Sequence, residues 1–441
     1  MTTPELAAGP LANEVTYADV LRNRNFRRLW GATITANLGE SIAQIALPLL
    51  VYAVTESLSM LGLVAALSTL PKVVLAPFAG VLADRVNRRL IMLGSDLGRM
   101  VAVVFLPFAD STLQITAIAL VVATFSALAH PAEMAAVPMV IGKALLVRAL
   151  SLIQVTGAAI RVVGPIVGAA LVTVFGAGPT FFAQALCFVA SVALVLGLRL
   201  PEVVADSKAP VTESGIRGEL TSGFRVMWRQ RVIRAIVGAE MVWGGAGTLM
   251  QIGLLAYTSV TLDLGDHRQS VFALLVAAFS AGTVAGGLLA SRIQHRLGRS
   301  FMLGFGYFAP LMLIAVVFVP PLPVVFVALF LFGLSDSWLV VASQQLIVER
   351  IPDTERGRFY AVWTALITLA WAGWNGLLGN LTAWLGAPVV FLIVGLVVGL
   401  GCPLVLLLTG TIRELLTSEH RAGPTVRNDT SIAPADQPEP A

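Results

Sequence analysis

Apolar positions in this chain fall in long, nearly unbroken blocks separated by short polar intervals. Twelve blocks are long enough for a helix to cross the roughly 30 Å hydrocarbon core of a bilayer, which takes about 20 residues. They cover residues 30–54, 58–82, 90–109, 113–139, 150–175, 180–200, 232–259, 269–291, 301–319, 323–348, 360–385 and 387–410. A helix that is apolar on all sides shows little periodicity. The helix reading rests instead on length and on the need to satisfy every backbone N–H and C=O inside lipid. The expected fold is all-α and integral to a membrane, with twelve transmembrane helices, here called spans 1 to 12.

The intervals alternate in kind. TESL, DST, GAGP, PPLP and LGAP are short turns of Gly, Pro and polar residues, whereas the intervening set carries the arginine clusters. Of the 29 Lys and Arg residues, Arg268 alone lies in the first set, and Lys72, Arg99 and Arg161 lie well inside blocks. The rest gather in the second set or at the block ends that border it. Cytoplasmic loops carry the positive excess, so both termini and the long linker are expected in the cytoplasm. The resulting division is an N-terminal segment 1–29, a six-helix half 30–200, a linker 201–231, a second half 232–410 and a tail 411–441. The tail, rich in Pro, Asp and Thr, reads as disordered. The opening MTTPELAAGPLANEVTYADV is polar and acidic where a cleavable signal would be basic and then apolar, so span 1 is expected to insert and stay.

Composition sharpens this picture. Hydrophobic residues make up 57% and charged residues 12%, against about 25% charged in a soluble protein. Mean hydropathy is +0.85. Cys187 and Cys402 sit in apolar blocks and offer neither a disulfide framework nor a zinc spacing. No GxxxxGK[ST] loop is present for ATP, and no HExxH or Ser-His-Asp arrangement is visible. An enzyme, an ATP-driven pump and a nucleic-acid binder are therefore not expected, nor is any cofactor or metal. The partners expected are a small-molecule substrate and the lipid bilayer, with the chain acting as a monomer.

The chain repeats itself. GVLADRVNRRL at 80–90 returns as GLLASRIQHRL at 287–297, an offset of 207 residues. The same offset pairs Arg27 with Arg234, Gly31 with Gly238, Gln44 with Gln251 and Arg85 with Arg292. An even number of spans separates the copies, so the two halves run in the same direction, and such parallel repeats place a substrate site between them near the midplane.

With GVLADRVNRR between spans 2 and 3 and a weaker copy between spans 8 and 9, the two-times-six layout resembles the major facilitator superfamily. LRNRNFRRLWGATITANLGESIAQIALPLLVYAVT and IPDTERGRFYA resemble its macrolide-efflux and siderophore-exporter branch. The resemblance covers roughly residues 20–410. It implies a secondary transporter working by alternating access, with the first loop (Gly80, Asp84, Arg85, Arg88, Arg89, and Arg292 in the second copy) latching the halves on the cytoplasmic side. Ser291 stands where Asp84 would be, so the latch is expected to be asymmetric.

Charges embedded in the blocks are functional candidates, because a charge at mid-bilayer costs about 2.5–3.5 kcal/mol on insertion scales. Glu40 lies about 15 Å past Trp30 at 1.5 Å per residue. With Asn37 and Gln44 it forms one polar stripe on span 1. It is the leading candidate for proton coupling, set against a purely structural carboxylate. Arg161, among Gly157, Gly164 and Gly168, is expected as its counter-charge. Glu240, Gln251 and Asp336 are expected along the cavity, and Asp96 with Arg99, three residues apart, as a structural pair. Lys72, His130 and Glu133 complete the embedded set.

The function expected is efflux of hydrophobic or amphipathic molecules of drug or macrolide type at a bacterial cell membrane, driven by the proton gradient. The alternatives are a dedicated exporter of a siderophore or metabolite on the same fold, and a non-transporting receptor or scaffold.

Overall fold

The computed structural model describes residues 17–75, 82, 86–200, 215–262, 264, 268–318 and 321–409. The expected latch residues Gly80, Asp84 and Arg85 lie outside that set, as does the tail. Span 1 is the helix Arg24–Thr55, started by Asn23, whose side chain accepts from the backbone N–H groups of Asn25 and Phe26 and so satisfies two orphan donors of the first turn. Span 2 follows from Leu58 to Leu75, span 3 is Arg88–Val104, span 4 Thr112–Val140, span 5 Lys143–Phe175 and span 6 Ala177–Leu196. After the linker helix Gly215–Arg229 come span 7 from Arg231, span 8 Arg268–Leu297, span 9 from Arg299, span 10 Leu322–Arg350, span 11 Asp353–Leu385 and span 12 Ala387–Leu408.

Ten of the described helices are long and apolar enough to cross a membrane. The other two spans are composite. Span 7 passes from α-helix (Arg231–Thr248) into π-helical turns at Leu249–Gly253 and Tyr257–Thr261. Span 9 tightens from α-helix into a 3₁₀ stretch at Ala309–Phe318. Spans 5 and 11, of 33 residues each, start seven residues before the apolar blocks do. At 1.5 Å per residue they run about 50 Å, so their first turns stand clear of the bilayer on the arginine-rich face. Apolarity marks where lipid begins, whereas helical hydrogen bonding continues until the Gly142 and Pro352 caps.

The repeat extends beyond what the sequence alone displays. Spans 4 to 6 and 10 to 12 match helix for helix at an offset of 210: Thr112 with Leu322, Val140 with Arg350, Phe175 with Leu385. Gly176 and Gly386, paired by that offset, both take φ near +80° (85° and 80°) where spans 5 and 6, and 11 and 12, meet. Only glycine enters that region without strain. Packing repeats too: span 1 lies on spans 5 and 6 as span 7 lies on 11 and 12, and span 3 on span 4 as span 9 on span 10.

The halves meet along span 2 against span 11 and span 5 against span 8. Span 2 and span 11 touch through glycine: a Cβ on Gly62 would sit 2.4 Å from the Asn375 carbonyl oxygen and 2.8 Å from Gly379 Cα. Both residues lie toward the face opposite the arginines, so the halves close there. Large apolar side chains cover the outside, Leu113 at 79% exposed, Leu288 at 75% and Trp384 at 81% among them. Water would not tolerate that shell, and hydrocarbon requires it.

Candidate functional site

The first half holds a polar ladder between spans 1 and 4, half-buried at Glu40 and buried at Glu133, anchored by span 3. Glu40 and Thr33 are seven residues apart on span 1, as are Ser126 and Glu133 on span 4, which puts each pair on one helix face. The two helices run in opposite directions and two rungs form. Ser126 Oγ donates to Glu40 Oε1 at 2.7 Å, and Thr33 Oγ1 to Glu133 Oε2 at 3.4 Å.

Arg99 ties the ladder to span 3. Its Nη1 lies 2.6 Å from Glu40 Oε1, and its Nη2 donates to Asp96 Oδ1. The guanidinium stacks on the Phe188 ring, 4.7 Å from the centroid. Asp96 in turn accepts from Ser191 Oγ at 2.6 Å. Arg99 and Asp96 are each 2% exposed and Glu133 7%. Lys72, on span 2, is the other cation within electrostatic reach of Glu40.

One expectation changes here. Glu40 is partnered by Arg99, not by Arg161, which is exposed and in no ion pair with a described acid. The reason is packing: Gly164 and Gly168 press span 5 onto Ser41 and Ile42 of span 1, and Glu40 faces span 3 instead. Asp96 and Arg99 touch as the spacing suggests, and the pair extends through Arg99 to Glu40. Asn37 is half-buried and Gln44 exposed.

The latch arginines that are described point into their own half. Arg89 donates to the Val195 and Leu196 carbonyls at 3.2 and 2.5 Å, capping span 6, where cations suit the helix C-terminus. Arg88 Nη1 lies 2.6 Å from Met139 Sδ, and Arg292 is exposed. In this conformation, with the opposite face closed, the bonds of Arg89 found among the described residues stay within its own half.

In the second half, Glu240 is half-buried and accepts from Trp363 Nε1 at 2.6 Å. The hydroxyls of Tyr307 and Ser343 lie beside it. Asp336 lies beside the Trp243 indole. Gln251 is half-buried in the π-helical part of span 7. At the places of Asn37 and Glu40, this half has Gly244 and Gly247, packed by Trp371. Sequence reading missed Ser126, Ser191, Phe188, Tyr307, Ser343 and Trp363 as partners. The seven-residue spacings of Thr33 to Glu40 and Ser126 to Glu133 were the one available signal.

Twelve spans in two parallel repeats, joined along spans 2, 5, 8 and 11 around embedded charges, define a major facilitator transporter. The chain belongs to the family described as "Transmembrane secretion effector", which it matches over residues 15–428. Among its relatives is the multidrug efflux pump Tap of Mycolicibacterium fortuitum, 26% identical over 349 residues, covering 76% of this chain and 83% of that one. The enterobactin exporter EntS of Escherichia coli is 23% identical over 366 residues, with 81% and 85% covered. Among solved structures, a mutant of the nucleoside transporter NupG superposes with a TM-score of 0.70 at 10% identity, covering 89% of this chain and 99% of that one. An inward-facing bacterial homolog of human Spinster gives 0.68 at 15% identity, with 89% and 98% covered. These structural likenesses concern the fold. The protein is a multi-pass membrane transporter, and its family and relatives are transporters, not enzymes.

Proposed function

We propose that the protein exports hydrophobic or amphipathic small molecules across a bacterial cell membrane by alternating access, driven by protons, with both termini cytoplasmic. One observation carries the coupling: three carboxyls, half-buried Glu40 with buried Asp96 and Glu133, share a cluster with one arginine among the described residues. Arg99 bonds to Glu40 and Asp96, while Glu133, among the described residues, has only the Thr33 hydroxyl. A carboxyl held by no ion pair inside a membrane is the one free to exchange a proton. Glu133 therefore takes the proton-carrying role, and Glu40 becomes the group through which Arg99 senses span 1. Similarity to a pump named for multidrug efflux supports the broad substrate class. Similarity to an enterobactin exporter supports, as the second reading, one dedicated cargo.

The test is accumulation of macrolides and lipophilic dyes in an efflux-deficient bacterium, with and without a protonophore. Cells making the protein should accumulate less, the protonophore should abolish the difference, and Glu133→Gln should behave like the empty cell. Unchanged accumulation across the panel would leave the dedicated-cargo reading. Full protonophore-sensitive efflux by Glu133→Gln would refute the assigned proton site.

A further inference from the structure

The two halves carry the same ladder with its acids exchanged. Taking the observed offsets, 207 for span 1 and 210 for span 4, Thr33 corresponds to Glu240 and Glu133 to Ser343. The rung is kept, but the carboxyl has moved from span 4 to the partner of span 1. On the second rung Ser126 corresponds to Asp336 and Glu40 to Gly247, so the acid has again changed helices. Span 3 and span 9 start at Arg88 and Arg299, an offset of 211, which matches Asp96 with Tyr307 and Arg99 with Pro310. The second half therefore keeps two of the three acids and loses the cation.

That loss leaves a particular environment. Among the described residues no Lys or Arg forms an ion pair with Glu240 or Asp336. Two hydroxyls beside Glu240, Tyr307 and Ser343, are 0% and 1% exposed and lack a well-formed hydrogen bond. Aromatic rings adjoin the carboxyl: Trp363 donates to it, Tyr360 meets Trp363 edge-on at 5.7 Å, and Trp243 meets Tyr307 edge-on at 6.4 Å. A half-buried carboxylate with aromatic rings around it is the chemistry that recognises an organic cation, and a membrane-embedded charge demands a partner.

We infer that the Glu240 rung is the recognition site for the positive charge of an amphipathic cationic substrate, in a half that has no counterpart of Arg99. The second half reads cargo charge while the first half, where Arg99 holds two of the carboxyls, handles the coupling proton. The inference builds on the efflux reading, and its test is separable because binding requires no gradient.

The experiment is equilibrium binding of tetraphenylphosphonium, a permanent cation, to the purified full-length protein in detergent, beside triphenylphosphine oxide as a neutral probe of similar shape. Wild type should favour the cation. Glu240→Gln should weaken the cation by about tenfold or more, the scale of one desolvated charge contact, with the neutral probe altered less than about twofold. Glu240→Asp should retain part of the preference, and Gly94→Ala, with nothing within 4 Å of the added atom, all of it. Loss of both probes alike in Glu240→Gln, no loss of either, or no cation preference in wild type would overturn the inference. Charge-selective binding without protonophore-sensitive efflux would keep it and sink the coupling reading instead.

Discussion

Arg99 Nη1 and Glu40 Oε1 lie 2.6 Å apart, joining spans 3 and 1 across 59 residues of sequence, and the same guanidinium holds Asp96 with its other nitrogen. Two carboxylates thus depend on one planar, two-pronged cation. A buried ion pair need not add net stability over an apolar replacement, but removing one member strands the others.

Arg99→Met is therefore expected to destabilise the protein by about 3–5 kcal/mol, the usual cost of orphaning buried charge. Arg99→Lys should recover only part, since an ammonium lacks the bidentate fork and stacks poorly on Phe188. Adding Glu40→Gln and Asp96→Asn to Arg99→Met should restore much of the loss. Thermal unfolding of the detergent-solubilised variants reads this directly. If Arg99→Met unfolds like wild type, the cluster does not hold the half together.

Ser126→Ala and Thr33→Val should separate the two rungs. Ser126→Ala removes one of two polar partners from Glu40 and leaves Arg99 in place, so stability should fall by about 1 kcal/mol with transport retained. Thr33→Val removes the one hydrogen-bond donor that Glu133 has among the described residues, and the pH at which transport is half-maximal should move while stability changes little. Dye efflux measured across pH from about 5.5 to 8.5, the range in which a membrane-buried carboxyl can titrate, checks both, and identical profiles for the two variants would deny the rungs their different roles.

What was legible in the sequence followed from solvent. Block length, the arginine alternation and the 207-residue echo of GVLADRVNRRL all express where lipid begins and ends, and they suffice for twelve spans in two halves. Arg99 as the partner of Glu40 was not legible, because rotation of a helix that is apolar all round leaves no periodic mark. Arg161 looked equally buried by depth along its span, and only the contact of Gly164 with Ser41 turns Glu40 away from it. The exchange of acids between the halves was hidden for a different reason. The offset shifts from 207 to 211 to 210 along the chain, so Thr33 and Glu240 align while Glu133 and Ser343 appear unrelated until helix ends fix the register.

Spans 8 and 10 present the tightest glycine contact and yield a stability prediction. A Cβ on Gly282 would lie 1.9 Å from the Phe330 carbonyl oxygen, and one on Gly333 would lie 2.0 Å from that of Phe279. Neither obstacle is a side chain that can swing aside, so close backbone packing of the kind small residues permit would have to open. Gly282→Ala and Gly333→Ala should each cost about 1–3 kcal/mol, whereas Gly94→Ala, with nothing within 4 Å of the added atom, should be neutral or mildly stabilising. Melting temperatures ranked otherwise would show that these two spans do not sit this close.

The glycine contact between spans 2 and 11 differs in kind, because it joins the two halves and not two helices of one half. Alternating access requires that this seam open when the arginine-rich face closes, so an atom added here acts on the balance of conformations. Gly62→Ala places its Cβ 2.4 Å from the Asn375 carbonyl oxygen, and Gly379→Ala places its own 2.8 Å from both Gly62 Cα and the Leu58 carbonyl oxygen. Each change penalises the conformation closed at this seam and leaves the open one untouched, and every 1.4 kcal/mol of such a difference shifts the ratio about tenfold. Spin labels at Met60 and Trp384, exposed at 40% and 81% on these two spans, report the separation. A longer-distance population should grow in both variants and not in Gly94→Ala. Distance distributions unchanged in Gly62→Ala would mean that the seam at Gly62 is not where the halves part.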